Sequence, residues 1–309
     1  MKNIISLILL ISTFSVSIFA AAPDFSVVAS NGEVMVKRDK ATNWVKLASG
    51  QKLFQKDQIQ IGKNAYLGLV HSSGSPVEVK NSGNYSVQKL VAQATTKKSN
   101  VTKKFTDYIV GELSKSDDQV GKDNYRKDME TMGAVERGSS KGLTAKLPRS
   151  SYTLDNKMDF SWYKKEGVTT YKFVIKDSEG KKIVDKDVNG TNLTIDLAQY
   201  KMKKGDCYNW SVSSNGASTE EYCILKFGDN EAKQVNQELT EIQTEIGKNP
   251  GAVGQLILAS FYEEKNIVNR AVAAYEAAIK ISPIESYKRL YSLYLNRLGL
   301  KNEAQSVMK

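Results

Sequence analysis

At Asp229 the hydrophobic pattern of this 309-residue chain changes period. Before that point, from Phe25 to Leu90 and again from Leu143 to Gly228, apolar residues fall in short alternating runs broken by turn residues; after it they recur every three to four residues. Period two marks half-buried strands and period 3.6 marks amphipathic helices, and neither pattern satisfies the other geometry. The expected fold is therefore multidomain β plus α, with the strands first and the helices last. The length exceeds one ordinary domain, so two or three units with separate cores are expected. A chain with 40% hydrophobic and 25% charged residues is not wholly disordered.

The N-terminus bears on where the chain works. Lys2 precedes a charge-free apolar stretch from Ile4 to Phe19, and Ala20, Ala21 and Ala22 then lead into Pro23 and Asp24. These are the parts of a secretory signal peptide over 1–22, cleaved near Ala20 to Ala22. The stretch is nearly long enough to anchor in a bilayer, but small residues before a polar boundary favour cleavage. No Cys lies there to carry a lipid and no second long apolar run follows. The mature chain is expected to be soluble and periplasmic or otherwise exported. Its two cysteines, Cys207 and Cys223, lack the spacing of a zinc or redox site and are expected to pair in an oxidising compartment. They lie symmetrically about Asn215-Gly216, where a hairpin would set them opposite one another.

Residues 23–95 read as short strands, as in Glu33-Val34-Met35-Val36, Asp57-Gln58-Ile59-Gln60-Ile61 and Ala65-Tyr66-Leu67-Gly68-Leu69-Val70. The phrase order is Gly32 with Val34 and Val36, Trp44 with Leu47, Gly50 with Leu53, Asp57 with Ile59, Gly62, Leu67 and Leu69, then Gly74-Ser75 and Val77. This order resembles the FecR family domain over about 65 residues. The family's usual Asp-Gly-Ser turn reads Ser73-Gly74-Ser75 here. The resemblance implies a compact, solenoid-like β roll. FecR-type proteins that relay surface signals cross the inner membrane and carry a cytoplasmic segment that acts on a sigma factor. This chain is expected to have neither, so the resemblance implies an envelope module rather than the whole relay.

Residues 96–143 are rich in Lys, Asp, Ser and Gly and read as a helical or flexible linker. Within them Phe105, Tyr108, Ile109 and Leu113 share one face of a short helix, and a second helical piece is expected around Asp123 to Met132. The linker reading has it pack partly on a neighbour; the sharper alternative is a partner-binding helix. Residues 144–229 return to short strands at roughly ten-residue spacing, the pattern of a sandwich. They resemble a fibronectin type III or immunoglobulin-like domain, which implies a core of Phe160, Trp162, Tyr171, Phe173, Tyr208 and Trp210.

In residues 230–309, Leu258, Ala259, Tyr262, Ala271, Tyr275, Ala278 and Pro283 resemble the tetratricopeptide consensus in type and spacing. The small alanines let two helices approach, the larger residues fill the gaps, and Pro283 ends the second helix. Ala304, 33 residues after Ala271, marks a partial second unit, and a helix from about Glu231 to Gly247 would cap the array. The resemblance implies a concave groove lined by Val253, Leu256, Ser260 and Glu263, the candidate partner-binding residues.

Charge and motifs narrow the function classes. Residues 23–100 carry 11 Lys and Arg against 5 Asp and Glu, whereas residues 151–230 carry 12 against 12. The basic excess suits an anionic glycan, lipid headgroup or acidic protein, although a well-solvated lysine-rich surface is the plainer account. Export and the lack of a recognised module argue against nucleic acid. The one histidine, His71, lies beside Ser72 and Ser73, but neighbouring strand side chains point to opposite faces and no nucleophile elbow is present. No phosphate-binding glycine loop occurs, nothing points to a catalytic or metal site, and no cofactor is expected. The expected function is a non-catalytic exported envelope scaffold that grips envelope proteins through its helical tail. The alternatives are a ligand-responsive signalling module of FecR type and the binding of an anionic cell-wall glycan.

Overall fold

The computed structural model describes residues 22–94, 100–114 and 142–309. Residues 1–21 of the expected signal peptide and the helical piece expected around Asp123 to Met132 lie outside the described residues. The described residues combine β sheets with helices in a mixed multidomain fold. None of their helices is long and apolar enough to cross a membrane.

The first β unit comprises β1 (Phe25–Asn31), β2 (Val34–Lys37), β3 (Val45–Lys46), β4 (Lys52–Leu53), β5 (Gln58–Ile61), β6 (Tyr66–His71), β7 (Pro76–Val79) and β8 (Gly83–Ser86). A short helix, α1 (Val87–Val91), closes it, with Lys89 N–H donating to the Ser86 hydroxyl. The strands form two four-stranded antiparallel sheets, ordered β4-β1-β6-β7 and β3-β2-β5-β8. Phe25, Val27, Val34, Ile59, Leu67 and Leu69 belong to the core of this unit.

The sheet containing β1 has a second apolar face. A register shift between Val27 and Ala29 bulges β1, and Val28 and Ala29 join a different core from Phe25 and Val27. On β6, Leu67 and Leu69 join the inner core while Tyr66 and Val70 join the other. A strand buried on both sides reads as a continuous apolar run rather than an alternation, which is why Ala65 to Val70 is apolar almost throughout.

That other core belongs to the helices. They are α2 (Asn100–Ser114), α3 (Asp229–Ile246), α4 (Ala252–Glu264), α5 (Val268–Ile281), α6 (Glu285–Arg297) and α7 (Lys301–Met308). α4 packs on α5 and α6 on α7 as two hairpins. Ala259, Ala271 and Ala278 are buried in the first hairpin and Ala304 in the second, while Pro283 is exposed just past the end of α5. Phe105, Ile109 and Leu113 of α2 belong to this core too, so the region read as a linker contributes a central helix.

The second β unit contains β9 (Ala145–Leu147), β10 (Ser151–Thr153), β11 (Lys157–Trp162), β12 (Thr170–Lys176), β13 (Lys182–Asn189), β14 (Asn192–Asp196), β15 (Cys207–Ser214), β16 (Ala217–Ser218) and β17 (Tyr222–Lys226). One sheet runs β10-β17-β15-β12-β13 with β16 on β15, and the other runs β14-β11-β9. β10 and β17 pair in parallel; the other pairings are antiparallel. Phe160, Trp162, Tyr171, Phe173, Tyr208 and Trp210 are all buried in one aromatic core. Phe173 stacks on both Trp162 and Trp210, with centroids 6.2 and 5.9 Å apart.

Cys207 and Cys223 form a disulfide, with Cα atoms 5.5 Å apart. They are not directly opposite as expected. Cys207 faces Leu225 and Asn209 faces Cys223, so the cysteines are diagonal neighbours. The reason is a hairpin centred one residue later than the midpoint of the two cysteines. The bond closes a sequence separation of 16 residues. Removing a crosslink over a loop of that size is expected to lower the stability of the second unit by about 3 kcal/mol. Denaturant unfolding of Cys207→Ser against the oxidised protein measures this, and two freely alkylated thiols in protein isolated from its native host would contradict it.

Candidate functional site

The expected groove residues lie on α4, and the structure fills the space around them from within the chain. Val253 faces Gly68 of β6: a Cβ built on Gly68 would lie 2.9 Å from Val253 Cγ2 and 2.8 Å from the Tyr287 hydroxyl. The bare glycine is what allows α4 and α6 to settle on the sheet. Beside it the Tyr66 and Tyr287 hydroxyls meet at 3.0 Å with their rings edge to face. Burial drives the Tyr66 phenol far above the usual tyrosine range, and Tyr287 and Glu78 add to the shift. Burial pushes Tyr287 up as well.

Glu78 of β7 reaches the start of α4, where its carboxylate accepts the Val253 N–H at 2.8 Å. The residue at the cap position, Gly251, has no side chain with which to do this itself. A Cβ there would collide with the Glu78 carboxylate, so a second glycine makes room for a cap borrowed from another unit. The negative charge also suits the positive end of the helix.

Leu256 and Ser260 are buried with Val253. Glu263 sits at the centre of a polar clamp. It pairs with Arg297 of α6 at 2.5 Å and accepts from the Tyr275 hydroxyl at 2.8 Å. Tyr108 of α2 completes the clamp, 3.5 Å from Glu263 and 3.2 Å from an Arg297 nitrogen. Burial raises the Tyr108, Tyr275 and Tyr294 phenols well above their usual range, reinforced by Glu263 and opposed by Arg297. Around the clamp, Phe105 of α2 meets Phe261 of α4 edge to face at 5.6 Å, and Lys104 pairs with Glu264 at 2.5 Å. Arg289 of α6 donates to the carbonyls of Glu112 and Leu113, the last turn of α2. The face of α4 and α6 therefore already holds a helix. In this arrangement Val253, Leu256 and Ser260 offer almost no free surface.

The consensus residues serve the hairpins themselves: Ala259, Ala271 and Ala278 are fully buried, Leu258 and Tyr262 nearly so, and Tyr275 stacks on Tyr291 at 5.4 Å. Sequence reasoning missed Arg289, Arg297 and Tyr287. The signal lay in α6, where Tyr287, Tyr291, Tyr294 and Arg297 recur at helical spacing.

His71 and Ser73 come together, which the argument from adjacent strand residues did not anticipate. The tight turn between β6 and β7 carries Ser73 back to the ring, with Ser73 Oγ 2.8 Å and its N–H 3.2 Å from Nδ1. An N–H aimed at Nδ1 makes that nitrogen an acceptor and places the ring proton on Nε2. Burial lowers the His71 pKa, opposed by Asp24. Ser73 is itself buried, and Gly74 next to it packs against Thr102 and Lys103 at the start of α2. The pair closes a turn that α2 covers. No group of three or more His, Cys, Asp or Glu among the described residues is placed to hold a metal ion. Compared with known protein families and with curated proteins, the chain matches neither a family nor an individual relative.

Gly68→Ala inserts a methyl where Val253 and Tyr287 already touch. Overpacking of this kind is expected to destabilise the protein by about 1–3 kcal/mol. Urea unfolding followed by both tryptophan fluorescence and far-ultraviolet circular dichroism measures it, and an unchanged midpoint would contradict the seat described here.

Proposed function

We propose that the protein is a non-catalytic, exported envelope scaffold whose helical tail holds a partner protein. In this reading the first unit is a FecR-like β domain, the second an immunoglobulin or fibronectin III-like sandwich, and the tail a pair of tetratricopeptide-type hairpins. The observation that carries the reading is the α4–α6 face, which grips α2 through a buried aromatic contact, an Arg–Glu–Tyr clamp and an arginine on its backbone carbonyls. Aromatic and arginine anchors in a desolvated setting are what strong protein–protein contacts are built from. The Cys207–Cys223 disulfide is compatible with an exported protein and supports a periplasmic setting.

A second reading is favoured by the first β unit. There Lys37 lies 5.5 Å over the Trp44 ring, Val45 and Phe54 are exposed, and basic residues outnumber acidic ones. Such a surface suits an anionic cell-wall glycan or lipid headgroup. Signalling of FecR type rests on the family resemblance alone.

In-cell crosslinking with mass spectrometry of the linked peptides tests the choice. The scaffold reading expects a recurring envelope protein joined through lysines of α2 and the tail, such as Lys104, Lys265, Lys280 and Lys288. Protein crosslinks confined to residues 22–94, or none at all beside co-sedimentation with cell wall that salt abolishes, would contradict it.

A further inference from the structure

We infer that the face formed by α4 and α6 is a helix-binding groove that the chain fills with its own α2, and that a partner's amphipathic helix with the same anchor pattern displaces α2. The inference rests on the scaffold reading and names the chemistry of the partner.

The groove reads α2 in three ways. Phe105, Ile109 and Leu113, at i, i+4 and i+8, enter the core it shares with the tail. Lys104 pairs with Glu264, and Tyr108 enters the Glu263–Arg297 clamp. Arg289 binds the Glu112 and Leu113 carbonyls in the last described turn of α2. That last contact reads helix backbone rather than a particular side chain.

α2 itself is built to hold weakly. Its first described turn contains no acid and carries Lys103, which pairs with Asp107 and stands beside Lys104, and its last described turn contains no base and carries Glu112. The lysines and Glu112 oppose the helix dipole, and no charge in either turn complements it. Val101, Thr102, Thr106, Ile109 and Val110 are β-branched, which disfavours the helix further. Gly111 lies inside α2, directly before Glu112, at an exposed position, and a Cβ built on it meets nothing within 4 Å, so packing does not require a glycine there. An interior glycine weakens a helix about fivefold relative to alanine. The helical state of α2 therefore depends on the groove, and a rival helix with ordinary propensity and the same three anchors has the advantage.

The test uses the full chain and a fluorescein-labelled synthetic peptide of residues 98–116, with binding read by anisotropy. The expected order of affinity is the Phe105→Ser, Ile109→Ser double variant, then wild type, then Gly111→Ala. The first and last are expected to differ by tenfold or more, and Arg297→Ala should weaken binding to the double variant. Equal affinities across the three proteins, or no binding to any, would overturn the inference while leaving the crosslinking test of the scaffold reading untouched. If the double variant loses its folded tail, wild type against Gly111→Ala decides alone, with about a fivefold difference expected and none overturning it. Light scattering of the wild type covers the other occupant: a dimer that the peptide dissociates would assign the groove to α2 of a second copy and overturn a foreign partner.

Discussion

The missing side chain at Gly68 is what the arrangement of the first unit and the tail depends on. With only hydrogen at that position, Val253 and Tyr287 reach the backbone of β6, and two helices lie directly on the sheet. The Tyr66–Tyr287 hydroxyl contact and the Glu78 cap on α4 both depend on that close approach. The outer faces of β1 and β6 then have apolar work to do, so Val28, Ala29, Tyr66 and Val70 are buried with the helices rather than exposed to water. Burial on both faces makes β1 and β6 the inner strands of this sheet.

The same logic joins the second β unit to the tail. The cap position of α5 is Ile267, which offers no polar side chain, and the Val268 N–H is instead accepted by Ser151 of β10 at 3.1 Å. Around it the Tyr152 N–H donates to the Asn266 carbonyl and Arg270 makes a bidentate pair with Asp155. Tyr163 and Lys146 meet Glu303 on α7, whose carboxyl is held below its usual range despite burial, by the Tyr163 hydroxyl and by Lys146. Each β unit thus caps one helix of the first hairpin. Helices whose cap positions carry no polar side chain take their caps from neighbouring strands.

Much of this architecture was legible in the sequence, because periodicity reports burial directly. The helix carrying Phe105, Ile109 and Leu113 follows from local spacing, the aromatic core of the second unit and the buried alanines of the hairpins from the resemblances their residues carry, and the pairing of the cysteines from their symmetry about a turn in an oxidising setting. What was not legible depends on which surface meets which. Val253, Leu256 and Ser260 are apolar or small on a helix face, and nothing local distinguishes a face awaiting a partner from one already covered. Two clues were present in the chain. The Ala65 to Val70 run is too apolar for a one-sided strand, and Gly251 and Ile267 stand where helix caps belong. Both signal neighbours that must be supplied from elsewhere. The diagonal register of the disulfide escaped for a different reason, since symmetry about Asn215-Gly216 locates a turn only to within a residue.

If the tail and the first β unit share one core through Gly68, they should open together. Native-state hydrogen exchange at increasing urea reads this directly, amide by amide. The account predicts that amides in β1 and β6 and those in α4 and α6 merge onto one isotherm, with the second β unit free to follow its own. Exchange of α4 and α6 through a lower-energy opening that leaves β6 protected would contradict it.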